Sequence, residues 1–161
     1  RDLGWDKTIL LMGTEINIYK NSEKQYICRW LVENRISVTV SDKATLDDLA
    51  KSARPDRQAI VHIMLDSGMT REGVYEAQTL DLIQIANDNP SIELEGVYTH
   101  LSVADDADKS FTIMQLQRFS EFVDEFSERG IDIPLIHAAN SPATIDLPNS
   151  HFTMIRHGVS V

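Results

Sequence analysis

Short apolar segments alternate with amphipathic ones along nearly the whole chain, and no other feature limits the fold as tightly. Thr8–Met12 (TILLM), Ile36–Val40 (ISVTV) and Ala59–Leu65 (AIVHIML) are compact apolar runs of the kind buried strands show. Leu94–Leu101 (LEGVYTHL), Ile133–Ala139 and Phe152–Val161 continue the series. Between them the spacing predicts helices over about 22–35, Thr45–Ala53, about 74–88 and about 110–129. Asn21 or Ser22 can cap the first, and Thr45 with Asp48 lies near a capping-box arrangement at the second. The last carries Phe119, Phe122, Val123 and Phe126 on one face, a core-facing stripe, with Gly130 as its C-cap. Such alternation implies a parallel sheet with crossover helices.

About six strands can be counted, whereas a whole (β/α)₈ barrel takes roughly 250 residues. The expected fold class is α/β, a partial (β/α)₈ TIM barrel of about six of its eight βα units, occupying residues 1–161 as one domain. In such barrels the loops after strands seven and eight frequently build a phosphate site. The stretch from Ile133 to Val161 reads as those two strands: Asn140 and Ser141 follow the first, and Arg156 and Gly158 sit inside the second.

A net charge of −10 argues against a nucleic-acid surface, which needs clustered Lys and Arg, and against a basic membrane-surface segment. No run approaches the roughly 18 apolar residues of a membrane-spanning helix, and no secretory signal is visible at the start. The single Cys28 excludes an internal disulfide framework, fits a reducing compartment and reads as a packing residue. Arg1 is no natural initiator, so the chain reads as an internal piece of something longer, cytoplasmic in location.

Four segments, VHIMLDSGMTREG (61–73), EGVYTHLSVAD (95–105), HAANSPA (137–143) and MIRHGVSV (154–161), together resemble the bacterial alanine racemase family in order and spacing. The resemblance covers nearly the whole chain and corresponds to strands three through eight of that family's N-terminal barrel. It implies a pyridoxal 5′-phosphate enzyme, homodimeric, that interconverts L- and D-alanine for peptidoglycan precursors. By resemblance, Arg156 faces the pyridine nitrogen; a guanidinium, having only donors, bonds that nitrogen without protonating it and so weakens the electron sink. His100 is similar to the histidine that supports this arginine. Ser141, Gly158 and Val159 match the phosphate binders, with Asn140 beside them, and glycine at 158 allows close backbone approach. Arg71 resembles the arginine near the ring hydroxyl and the substrate carboxylate. Apart from the resemblance, a structural ion pair for Arg156, a core histidine at 100, a helix cap at Ser141 and a surface charge at Arg71 are the plain alternatives. His137 reads as structural, His62 and His157 carry no assigned role, and Asp66 reads as a residue that fixes its loop by hydrogen bonds.

Departures from the family pattern are equally legible. Its Schiff-base lysine lies in a first-strand motif that none of Lys7, Lys20, Lys24, Lys43, Lys51 and Lys109 matches. Its tyrosine base comes from a C-terminal β domain whose context Tyr19, Tyr26, Tyr75 and Tyr98 lack. The expectation is that this polypeptide alone is inactive and that its sheet edges invite association. Met64 stands where many members have a carbamylated lysine that supplies an anion beside the arginine placed at Arg71, and Thr70 and Glu72 replace a usual Gly and Leu. These changes keep open a serine racemase of the vancomycin-resistance type, tethered to a membrane domain. A non-catalytic pyridoxal-phosphate-binding protein of cofactor homeostasis is the other alternative.

Overall fold

The computed structural model describes residues 9–12 and 16–158. Five strands, β1 (Leu10–Leu11), β2 (Ser37–Val40), β3 (Ala59–Met64), β4 (Ile92–Tyr98) and β5 (Leu135–His137), follow one another in the sheet in sequence order. The registered pairs are parallel: Leu10 lies opposite Ser37, Val38 opposite Val61, and Gly96 opposite Leu135. Sequential parallel order is the barrel's; a doubly wound sheet reverses direction at a switch point. Helices α1 (Asn21–Glu33), α2 (Lys43–Ser52), α3 (Glu76–Asp88), α4 (Ser110–Glu128) and α5 (Ser141–Asp146) make the crossovers. The α/β partial-barrel expectation holds. Residue contacts divide the chain into two compact units, Arg1–Ile63 with Asp81–Glu95 and Met64–Leu80 with Gly96–Val161.

In the first unit every residue of β2 and β3 is buried, which is why these segments read as continuous apolar runs. Cys28, Leu31 and Val32 of α1 and Leu46 and Leu49 of α2 supply the helix side of the core. Cys28 is fully buried, and burial pushes its thiol pKa up, as expected of a packing cysteine. The caps differ from expectation. Lys20, without a side-chain acceptor, precedes α1, and Glu23 Oε2 accepts from its N–H instead. Asp42 caps α2, its carboxylate accepting from both the N–H (2.8 Å) and the hydroxyl (2.7 Å) of Thr45. Buried His62 pairs with Glu95 Oε2 at 2.9 Å, and Ser37 donates to the same oxygen, a satisfied polar cluster on neighbouring strands.

In the second unit the phenylalanine stripe of α4 behaves as read: Phe119, Phe122 and Phe126 are buried and Val123 half-buried. Gly130 ends the helix at φ +76°. The expected strand over Phe152–Val161 is not formed among the described residues, whose only pairing there is a parallel bridge between Met154 and His137. Phe152 turns through φ +45°, the Thr153 hydroxyl accepts from Ile136 N–H (2.7 Å), and Thr153 and Met154 N–H share the Ile136 carbonyl. A side chain occupying the ladder position leaves room for one bridge only. The helix expected from residue 74 begins at Glu76, because Val74 is held in a bridge to Leu65.

Candidate functional site

Parallel strands running in one direction bring their C-terminal ends to one face, and the second unit gathers its charged and polar residues there. The Met154–His137 bridge sets the register, so that Arg156, two residues on, emerges on the side of the strand that meets His137. Arg156 donates to His137 Nδ1 (2.7 Å) and to the carbonyls of Thr99 (2.8 Å) and Ala138 (3.1 Å). Its guanidinium lies 5.0 Å from the centre of the Tyr98 ring, and Tyr98 stacks in turn on His137 at 4.7 Å. No carboxylate among the described residues pairs with it, and its Nε takes no partner there. Burial lowers its pKa to about 10, which leaves it fully charged at neutral pH.

The arginine's supporting histidine is therefore His137, not His100: the hydrogen bond expected of His100 is made by the residue read as structural. Only the strand register could have shown this, because the two histidines are equally apolar-flanked in sequence. His100 instead has a buried Nδ1 without a partner. Burial first, then the charges of Arg156 and Arg71, lower its pKa to about 4, so its imidazole is neutral at pH 7.

Ser141 opens α5 and is almost fully buried, and its Oγ accepts from Gly158 N–H at 3.0 Å. A side chain built at Gly158 would meet nothing within 4 Å, so the backbone there borders open space. Asn140 caps α5 through Ala143 N–H (3.3 Å), and its amide also donates to Leu101 O (2.9 Å). Both ends of that amide are committed to backbone, which gives Asn140 a part in placing Ser141. Val159 lies outside the described residues.

Arg71 sits in the loop after β3, half-exposed, 3.6 Å from the carboxylate of Glu72. Met64 is buried, and no anion other than Glu72 pairs with Arg71 among the described residues. Asp66 fixes the loop as expected, accepting from Gly68 N–H (3.0 Å) and Thr70 N–H (2.9 Å). Thr70 is held at φ +55°, an uncommon conformation for a β-branched residue.

A donor-only arginine held by neutral acceptors, beside a hydroxyl and a backbone N–H facing open space, suits a ligand that carries both an anion and a basic ring nitrogen. The fold and site together define a phosphate-binding parallel α/β barrel segment. The family model described as "Alanine racemase, N-terminal domain" matches residues 1–161, and the chain belongs to that family. It is 37% identical over 163 residues to the alanine racemase of Methanococcus maripaludis, covering 99% of this chain and 41% of that protein. It is 38% identical over 136 residues to that of Treponema pallidum, covering 80% of this chain and 36% of the relative. Among solved structures, the alanine racemase of Clostridium difficile in complex with cycloserine superimposes with a TM-score of 0.85 at 29% identity, over 98% of this chain and 42% of that one. The chain thus spans about two-fifths of the length of these relatives. No helix among the described residues is long and apolar enough to cross a membrane. No group of His, Cys, Asp or Glu among them could hold a metal ion.

Proposed function

We propose that this chain is the cofactor-holding segment of a pyridoxal 5′-phosphate-dependent alanine racemase, acting on L- and D-alanine as a cytoplasmic homodimer. When bound, the cofactor supplies an electron-withdrawing ring that acidifies the α-hydrogen of an amino acid. The chain's own residues do the rest of what can be assigned to it. The Ser141 hydroxyl and Gly158 N–H hold the phosphate, with Val159 beside them. Arg156 donates to the ring nitrogen; His137, Thr99 O and Ala138 O fix its plane, and its high pKa keeps the proton on the guanidinium. Arg71, already charged and half-exposed, is placed to meet a substrate carboxylate. Neutral His100 adds no competing positive charge next to the ring.

The observation that carries this reading is the carboxylate-free setting of Arg156. A structural ion pair would supply an anion, and none is there. The test uses the full-length protein. Pyridoxal phosphate is titrated into the apo form by absorbance, and initial rates are then measured on L-alanine and L-serine. The expected result is uptake of cofactor and faster turnover of alanine, with Arg156→Leu weakening uptake. Faster turnover of serine would move the assignment to a serine racemase, and uptake without turnover would move it to a cofactor-binding protein.

A further inference from the structure

Gln115 of α4 is completely buried, and it stands four residues before Phe119 on the helix's core-facing stripe. Packing alone asks for an apolar residue there. Instead all four hydrogen-bonding positions of the amide are used. Its Oε1 accepts from the N–H (3.0 Å) and the hydroxyl (3.1 Å) of Ser102, and its Nε2 donates to His100 O and Ser67 Oγ, both at 3.2 Å. One backbone donor and one backbone carbonyl fix which end of the amide is oxygen. The proton order of the next links follows from it. Ser67, accepting from Gln115, donates to Thr99 Oγ1 (2.7 Å), and Thr99 Oγ1 donates to Leu65 O (2.9 Å). Thr99 O is the carbonyl that receives Arg156. A single side chain on the outer helix therefore ties together the chain after β3, the turn bearing His100, and the residue beneath the arginine.

We propose that Gln115 is a positioning residue for the cofactor site: it sets the His100 imidazole and the Thr99 carbonyl that holds Arg156. This rests on the pyridoxal-phosphate reading above. Glutamate cannot replace it, since a carboxylate has no donors for His100 O. Methionine matches its length but leaves Ser102 N–H and His100 O unpaired in a buried setting. Loss of the network loosens the placement of Arg156 and His100 without removing either.

The test is carried out on the full-length protein with four forms: wild type, Gln115→Met, Ser67→Ala and Phe122→Leu. Phe122 is buried on the same helix and away from the network, so its variant reports on general destabilisation. For each form, pyridoxal phosphate is titrated into the apo protein by absorbance, and the thermal midpoint of the apo protein is recorded. The expected result is about tenfold weaker cofactor affinity for Gln115→Met. Ser67→Ala should show a smaller weakening in the same direction, and Phe122→Leu a lowered midpoint with unchanged affinity. Should Gln115→Met fail to fold, Ser67→Ala decides, because it breaks the link to Thr99 while keeping the amide. Wild-type affinity in Ser67→Ala and in any folded Gln115→Met, or an equal loss in Phe122→Leu, overturns the assignment alone. A wild-type protein that takes up no cofactor overturns both it and the reading beneath it.

Discussion

Replacing His100 by asparagine should flatten the acid limb of the stability curve. In the folded protein the His100 pKa is lowered from an ordinary 6.5 to about 4 by burial and by the neighbouring arginines. The unfolded chain takes up this proton near pH 6.5, whereas the folded chain refuses it until about pH 4. Between those values the unfolded state binds more protons, so stability rises with pH. The contribution is whole above pH 6.5 and is lost as the pH falls through the window. The interval is worth about 3 kcal/mol at about 1.4 kcal/mol per pH unit. Because His100 is only half-buried, solvent screening reduces the expected loss to about 1–2 kcal/mol. Urea unfolding of wild type and His100→Asn at pH 7, 6 and 5 gives the difference directly, since other titrating groups cancel in the comparison. Parallel stability curves for the two proteins over that range would refute the assignment of a neutral, charge-flanked imidazole.

Gly73 sits at φ +92°, where an added Cβ would lie 2.9 Å from Met64 O, so Gly73→Ala should lower the urea midpoint by an amount equal to about 2–3 kcal/mol. Gly130→Ala, at φ +76° but with nothing within 4 Å, should cost only about 1 kcal/mol in the same assay. Asp42→Ala removes both bonds to Thr45 and should destabilise by about 1 kcal/mol, read by thermal unfolding, while Thr45→Ser, which retains the hydroxyl, should stay close to wild type.

Periodicity carried most of the fold because burial on both faces leaves unbroken apolar runs in β2 and β3, and a stripe of phenylalanines on α4 can face only a core. It failed where a local side chain took over a backbone role. The Thr153 hydroxyl reduces the last expected strand to one bridge, and Asp42, one residue outside the apolar pattern, captures the cap of α2. The site was legible in its motif residues: Arg156, Ser141 and Gly158 stand where the resemblance put them, at the end of the second unit's strands. The exchange of His100 for His137 was not legible, and Gln115 left only one trace, a polar residue on an otherwise buried stripe.

From its sequence alone this chain determines its parallel architecture, its family and the residue types at the rim, because spacing and side-chain chemistry are properties of the string. Which histidine meets Arg156, and which helix residue locks the turn after β4, depends on register and on hydrogen bonds between segments far apart in the chain. Those partners are selected only when desolvation makes an unpaired polar group costly, and that selection happens in the folded core.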